Sequence, residues 1–263
     1  MGKIIAVLNE KGGVAKTTTV KNLSVGLACR EKKVLAIDLD PSANLTSAFG
    51  HFQIPEGQQT ILDLFRISSL GDDIPDEAAI LHTDEGVDLI PSITAFHDFE
   101  SALLVSEQKE IVLRRIISSF SDKYDYIFID CPAGLGIFVT NALYAAEQLI
   151  IPVQPQFLGA NAMMSLFKRI NDVRKFNGTG TKPEVLGILF TMVRTNTKND
   201  TDVMEYFKPS YEKMLFKTYI PNSVRFAESD SEGMSIYRYA PKSASAFVYS
   251  ELVDEFIEME EIK

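Results

Sequence analysis

The sequence predicts an α/β fold with a doubly wound, mostly parallel sheet that carries helices on both faces. Short runs of apolar, often β-branched residues recur along the chain, and segments with helical periodicity lie between them. Continuous apolar strands of this kind are covered on both faces, as in a parallel sheet. The alternation of strand and helix favours the doubly wound class. All 263 residues are expected to form one domain, 1–263.

Six strands and five main helices are expected in chain order. The strands are Ile4–Leu8, Val34–Ile37, Val87–Ile90, Tyr126–Ile129, Leu149–Val153 and Val185–Thr191. The helices are Lys16–Arg30, Ile111–Phe120, Val139–Ala146, Ala160–Phe176 and Ala244–Glu258. The segment 52–84 is expected to be irregular, with one short helix near Ile61–Phe65, because it is interrupted by glycine and proline. In the last helix the apolar face is predicted to consist of Phe247, Val248, Leu252 and Phe256.

Charge and cysteine content exclude several classes of protein. The chain carries 26 Lys+Arg against 36 Asp+Glu, a net charge of -10, which argues against coating nucleic acid by bulk charge. Residues 1–150 hold 12 of the basic and 21 of the acidic side chains, so the remainder is nearly neutral. Cys29 and Cys131 cannot form a disulfide framework, and each is expected to be a small buried hydrophobe. Without a secretory leader or a long apolar run, the protein is expected to be soluble and cytoplasmic.

The first strand leads into a glycine-containing loop. Residues 9–19 read NEKGGVAKTTT and are followed by a predicted helix. Strand, glycine turn and helix N-terminus form the context of a phosphate-binding loop. The ordinary pattern G-x-x-x-x-G-K-[ST] fails at Glu10 and Ala15, whereas K-G-G-x-x-K-[ST] fits from Lys11 onward. Lys16 is expected to reach the β- and γ-phosphates, and the Thr17 hydroxyl is expected to bind Mg²⁺.

Carboxylates follow two other predicted strands. Asp38 and Asp40 come at the end of the second strand, and Asp130 ends the fourth. Ligands of open α/β sheets bind at the carboxyl ends of the strands. An apolar strand that ends in Asp is the Walker B pattern, so Asp130 is expected to hold Mg²⁺ through water.

These motifs together resemble the ParA/MinD family of deviant Walker-A ATPases, which are P-loop NTPases, and within it the short ParA/Soj type. The resemblance implies ATP and Mg²⁺ as cofactors and slow ATP hydrolysis stimulated by a partner protein. It implies that Lys11 crosses a nucleotide-sandwiched homodimer to reach the partner's phosphates. Asp40 would position or activate the attacking water, with Asn44 helping to order it, and Ala15 replaces the family's frequent glycine.

Three groups of residues follow for the nucleotide site. The catalytic residues are expected to be Lys11, Lys16 and Asp40, and the metal residues Thr17, Asp38 and Asp130. The nucleotide-binding residues are expected to be Lys11, Gly12, Gly13, Val14, Ala15, Lys16, Thr17, Thr18, Asn44, Met192 and Pro221. Of these, Met192 and Pro221 are assigned to the base by resemblance.

The resemblance leaves the biological role open between several uses of one ATPase. The favoured role is positioning of a plasmid, a chromosome or another cargo, with a ParB-like or adaptor partner and non-specific binding to nucleoid DNA. The alternative is a MinD-like membrane-cycling regulator of cell division. The acidic last helix argues against a membrane partner, because anionic lipids would repel it. An iron–sulfur protein is disfavoured, because Cys29 and Cys131 do not look like a pair that binds a cluster. A nucleotide-binding module without turnover is also disfavoured, because it would not need a water-positioning carboxylate such as Asp40. The DNA contacts would come from Arg194, Lys198, Arg225 and Lys242.

Overall fold

A computed structural model describes residues 2–75, 78–156, 159–178, 180–194 and 198–261, without the side chains of 159–162 and 198–199. One seven-stranded sheet has the order β3-β4-β2-β5-β1-β6-β7. Every pairing is parallel except that of β3 with β4. The strands are β1 Lys3–Val7, β2 Val34–Asp38, β3 Leu81–His82, β4 Val87–Ile90, β5 Tyr126–Asp130, β6 Gln148–Val153 and β7 Glu184–Phe190.

Helices follow most of the strands and cover the sheet. They are α1 Lys16–Ala28, α2 Asn44–Ala48, α3 Ile61–Leu70, α4 Phe96–Val105, α5 Val112–Ser118, α6 Ile137–Ala145, α7 Gly159–Phe176, α8 Lys198–Tyr211, α9 Val224–Ser231, α10 Ile236–Tyr239 and α11 Ala244–Glu261. A short 3₁₀ turn, Glu212–Met214, follows α8. Among the described residues, none of these helices combines the length and apolar character needed to cross a bilayer.

Two hydrophobic cores lie on opposite faces of the sheet. Side chains of β1 alternate between them: Ile4 and Ala6 belong to one core, and Ile5 and Val7 to the other. Successive side chains of a strand point to opposite faces. Double-sided burial explains why the strands are continuous apolar runs, and it confirms the predicted doubly wound α/β fold.

The last helix presents a different face from the predicted one. Phe247 is 60% exposed, so its assignment to the buried face is wrong. The deeply buried side chains are Tyr249, Leu252, Val253 and Phe256. Their spacing of three, one and three residues forms a stripe that Phe247 does not share.

Two further expectations need correction. Cys29, just past α1, is exposed rather than buried, whereas Cys131 is buried as expected. The segment 52–84 contains the ten-residue helix α3, whose Thr60 and Asp63 form a capping box, and the strand β3. The short antiparallel β3 carries too few residues for an alternating pattern, so the sequence did not reveal it.

The strand order brings the three motif-bearing strand ends together. β5 lies between β1 and β2, with Val7 opposite Asp130 and Asp38 opposite Asp130 in the registers. The loop after β1 therefore lies beside both carboxylates, at the carboxyl edge where ligands of such sheets bind.

Candidate nucleotide-binding site

The loop between β1 and α1 is fixed by contacts from neighbouring strand ends. The Thr191 hydroxyl donates to the Val14 carbonyl at 3.0 Å, and the Asn9 amide donates to the Pro152 carbonyl at 2.6 Å. The Gln154 side chain donates to the Gly13 carbonyl at 2.9 Å. Two of these bonds engage loop carbonyls, those of Val14 and Gly13, with the scaffold. Such an arrangement leaves backbone N–H groups at the start of α1 for an anion.

Two loop residues adopt left-handed backbone conformations. Gly13 has φ +68°, which glycine adopts without a Cβ penalty. Ala15, immediately before α1, has φ 63° and ψ 35°. An L-residue in this region is disfavoured by about 1–2 kcal/mol. The loop therefore holds Ala15 in a conformation better suited to glycine.

Thr17 and Asp130 meet at the loop's inner side. The Thr17 hydroxyl donates to Asp130 Oδ2 at 2.7 Å. The other carboxylate oxygen, Asp130 Oδ1, is buried without a hydrogen-bond partner among the described residues. The pKa of Asp130 is raised well above its ordinary value, mainly by burial and then by the neighbouring Asp38. A cation would supply the partner that this oxygen lacks, so the residues fit a magnesium site.

Asp38 is already satisfied by its own chain. Its Oδ2 accepts from the Thr46 backbone N–H at 2.8 Å and from the Thr46 hydroxyl at 2.7 Å. Burial raises the pKa of Asp38 to about 7, against the lowering effect of the bonds from Thr46. Its bonds position it as support for the Asp40 turn, because its Oδ1 accepts from the Asp40 N–H at 3.2 Å. No cluster of three or more His, Cys, Asp or Glu that could hold a metal occurs in the described chain.

A cavity of about 850 Å³ opens above the loop. This volume is in the range of small-molecule and cofactor sites. Lys16 is almost buried, and its Nζ lies 3.4 Å from the Lys11 carbonyl oxygen. The structure thus brings most of the predicted nucleotide residues to one cavity. Its lining includes Gly12, Gly13, Val14, Ala15, Lys16, Thr17, Thr18, Asp40, Asn44, Met192 and Pro221.

Asp40 borders two cavities. Besides the first, it lines a cavity of about 620 Å³ together with Thr94, His97, Glu100 and Pro132. The Ser42 N–H donates to Asp40 Oδ1 at 2.9 Å and fixes the carboxylate. The Asp40 carboxylate can therefore contact a ligand in the first cavity and solvent or another chain in the second.

The Lys11 ammonium is held by two glutamine side chains. Its Nζ donates to Gln156 Oε1 at 2.5 Å and to Gln154 Oε1 at 3.3 Å. Lys11 is absent from the lining of the cavity that holds Lys16. The two loop lysines therefore make different contacts, Lys16 at the cavity and Lys11 with the two glutamines.

The far end of the cavity is formed by the C-terminal third of the chain. Met192 has φ 54° and lies by Gln154, whose amide nitrogen is 2.7 Å from the Met192 sulfur. Pro221 pairs with Val193 in an isolated parallel bridge. Sequence reasoning missed further lining residues in this region because no short motif marks them: Phe226, Ala227, Asp230, Ser231 and Tyr249.

The predicted DNA-binding side chains differ in their surroundings. Arg225 and Lys242 are exposed. Arg194 contacts Asp200 at 3.2 Å, so its charge is partly compensated. The side chain of Lys198 lies outside the described residues.

The sheet, the loop between β1 and α1, and the paired Thr17 and Asp130 define a P-loop nucleotide-binding protein of the α/β class. A family model described as an AAA domain matches residues 2–182. The sporulation initiation inhibitor protein Soj of Bacillus subtilis is 35% identical over 260 residues, which are 97% of this chain and 98% of that protein. The chain therefore belongs to the ParA/MinD family of deviant Walker-A ATPases.

Solved structures agree with this assignment. One is cobyrinic acid a,c-diamide synthase from Mycobacterium smegmatis with a bound ATP analogue and magnesium. It matches with a TM-score of 0.82 and 29% identity, over 99% of this chain and 96% of that one. The septum site-determining protein MinD from Pyrococcus horikoshii, complexed with Mg-ADP, matches with a TM-score of 0.76 and 26% identity, over 100% and 98%.

Proposed function

We propose that this protein is a ParA-type positioning ATPase that dimerises with ATP and is released by hydrolysis. The carrying observation is the pair of loop lysines, Lys16 in the lining of the cavity and Lys11 outside it. The two glutamines that bond to Lys11 are neutral, so the phosphates of a second copy would give its ammonium the anionic partner that these bonds do not supply. The cycle is then a switch between two states rather than a metabolic reaction.

Within one chain, ATP is bound by the loop amides and three side chains. Lys16 carries the charge opposite the β- and γ-phosphates, and the Thr17 and Thr18 hydroxyls lie in the first turn of α1. Mg²⁺ is held by Thr17, with Asp130 behind it, and by phosphate and water oxygens. The magnesium and nucleotide in the solved relatives support this assignment.

Asp40 and Asn44 serve the hydrolytic step. Asp40 lies at the junction of the two cavities, and Asn44 begins α2 on the wall of the first. The Asp40 carboxylate orients a water toward the γ-phosphate and accepts its proton as the bond from the water oxygen to phosphorus forms. The bond between the γ-phosphorus and the bridging oxygen breaks, and ADP is the leaving group. Intrinsic turnover is slow, and a ParB-like or adaptor partner accelerates it.

The whole chain contributes to this unit. The family model ends at residue 182, yet Pro221 and α9 form part of the cavity wall. We therefore assign 1–263 to a single ATPase domain. It works in the cytoplasm and is associated with the nucleoid in its ATP state.

Non-specific DNA is the proposed surface on which the dimer is retained. Exposed Arg225 and Lys242 supply positive charge to phosphates, together with Arg194 and Lys198. A MinD-like membrane cycle is disfavoured, because α11 from Glu251 onward carries several acidic residues that anionic lipid would repel. The bound cargo, whether plasmid, chromosome or another cluster, is set by the partner.

Light scattering after size-exclusion chromatography tests the dimer. We expect Lys11→Ala to stay monomeric with Mg·ATP, and Asp40→Ala to accumulate as a dimer because hydrolysis no longer releases it. Lys32→Ala, at an exposed lysine past α1, is the matched control and should cycle normally. A dimer of unchanged yield in Lys11→Ala would refute the proposal.

A DNA gel shift with ATP or ADP tests the cargo surface. The ATP state should bind duplex DNA, and Arg225→Ala with Lys242→Ala should weaken binding and reduce its salt dependence. Binding that ignores the nucleotide, or binding to anionic vesicles in its place, would contradict a DNA-guided role.

A further inference from the structure

A buried ion pair lies beneath the wall of the cavity, outside every motif. Lys21 of α1 has a fully buried side chain, and its Nζ lies 2.5 Å from Asp230 Oδ1 of α9. The same ammonium donates to the Met234 carbonyl at 2.5 Å. Burial lowers the pKa of Lys21, whereas Asp230 and then Glu85 act to raise it. An ammonium in this position requires its carboxylate partner.

Asp230 is the member of the pair that meets the cavity. Its side chain keeps 31% exposure, and it lines the same cavity as the phosphate loop. Its second oxygen, Oδ2, accepts from the Thr18 hydroxyl at 3.1 Å. Thr18 is the second residue beyond Lys16, so Asp230 lies beside the first turn of the phosphate-binding helix α1.

A carboxylate at this position would repel the phosphates of a bound nucleotide unless two conditions hold. The first is a counter-charge, which Lys21 supplies from the protein side. The second is a hydrogen-bond donor on the ligand, since an ionised carboxylate only accepts. Phosphates offer no donor at neutral pH. The sugar hydroxyls of a ribonucleotide do, and they are attached next to the innermost phosphate.

The cavity lining near Asp230 also includes the phenol of Tyr249. Tyr249 of α11 is fully buried. The Tyr249 ring packs edge-on against Phe226, with centroids 5.4 Å apart, which fixes its orientation. A carboxylate acceptor and a phenol thus line the same cavity, together with the apolar Phe226 and Ala227.

We propose that Asp230, with Lys21 as its buried counter-ion, is a sugar-recognition residue that accepts a hydrogen bond from a ribose hydroxyl of the bound nucleotide. It therefore discriminates ribonucleoside from deoxyribonucleoside triphosphates. This inference rests on the proposed ATP-binding function and adds the part of the substrate that the loop motif does not read. The competing view is that the pair only fastens α9 to α1.

Isothermal titration calorimetry with Mg²⁺ and ATP, 2′-deoxy-ATP or 3′-deoxy-ATP tests the proposal on the full chain. A hydrogen bond to a charged acceptor makes removal of the correct hydroxyl weaken binding on the order of tenfold. Equal affinity of the unaltered protein for all three nucleotides would overturn sugar recognition while leaving the proposed function intact. If the protein bound none of them, the proposed function would fail first.

Variants separate recognition from fastening. Lys21→Met/Asp230→Ala removes both charges, so no unpaired ammonium is left buried, and the preference for ATP should fall to about onefold. Glu232→Ala, at the exposed residue just past α9, is the matched control and should keep the preference. A folded double variant that still discriminates would show that the pair only fastens the two helices.

Lys21→Met alone gives an independent readout. The carboxylate then faces the triphosphate without its counter-charge, so affinity for ATP and both deoxy analogues should fall together while the ratio persists. A loss of the ratio with unchanged ATP affinity would contradict the division of roles between Lys21 and Asp230.

Discussion

Ala15 carries the clearest strain in the phosphate loop, and replacing it with glycine isolates that strain. The residue has φ 63° and ψ 35° directly before α1. Its left-handed conformation costs about 1–2 kcal/mol relative to glycine. Glycine gives back about 0.4–1 kcal/mol because its unfolded chain has more conformational entropy. Ala15→Gly should therefore raise the free energy of unfolding by roughly 0.5–1 kcal/mol, the difference of these terms.

Thermal unfolding followed by circular dichroism measures this gain. For a chain of this size, 1 kcal/mol corresponds to a rise in Tm of about 2–4 °C. Glu31→Gly is the matched control, since Glu31 is exposed, has φ 62° and lies just past the other end of α1. Both variants should gain stability, because the two positions share one backbone conformation.

Mg·ATP adds the second half of this test. If the loop has its strained shape before ATP binds, ATP should raise the Tm of the unaltered protein and of Ala15→Gly by equal amounts. A gain in Glu31→Gly but none in Ala15→Gly would refute the strain argument. A smaller ATP-induced rise in Ala15→Gly would show that the loop changes its backbone on binding.

Three further predictions concern the buried site and the core. In the nucleotide-free protein the pKa of Asp130 is raised, so the native state keeps a proton that the unfolded chain releases near pH 4, and stability falls as pH rises above that value. Asp130→Asn should reduce this fall at pH values above about 4 in thermal unfolding, and an equal fall would contradict the argument. Gly187→Ala places a methyl against the Phe216 ring and should cost about 1–3 kcal/mol in urea unfolding, with Phe216→Leu restoring part of the loss. Phe256→Ala should cost about 3–5 kcal/mol and Phe247→Ala less than about 0.5 kcal/mol; equal costs would show that the α11 face is wrongly described.

The sequence predicted those parts of the site that carry a local signature. The loop at 9–19 and the carboxylates Asp38 and Asp130 are marked because each follows an apolar strand, and parallel strands share one carboxyl edge. The structure places them together, with Thr17 bonded to Asp130 at 2.7 Å. Met192 and Pro221, which were predicted from the family resemblance alone, also line the cavity.

The remainder depends on tertiary contacts that have no local signature. Lys21 and Asp230 are 209 residues apart, and each alone is indistinguishable from a surface charge. Phe247 was assigned to the wrong face because apolar identity was used in place of the full helical stripe, which includes the small or polar Ser245 and the amphipathic Tyr249. In both cases the partner element, not the residue type, decides burial.

Several unfavourable features of the described structure lie at the site. Ala15 and Ala43, which precede α1 and α2, are both left-handed, and Asp130 Oδ1 is buried without a hydrogen bond. Strained conformations persist where contacts from the surrounding fold hold them in place. Here the Thr191 hydroxyl holds the loop by its bond to the carbonyl of Val14, the residue before Ala15. A bound cation gives the buried Asp130 Oδ1 the partner that it lacks. Cation binding therefore also stabilises the protein at this point. Nucleotide and metal should therefore stabilise this edge of the sheet more than distant elements, and hydrogen exchange at α1 and α2 should slow more than at α5.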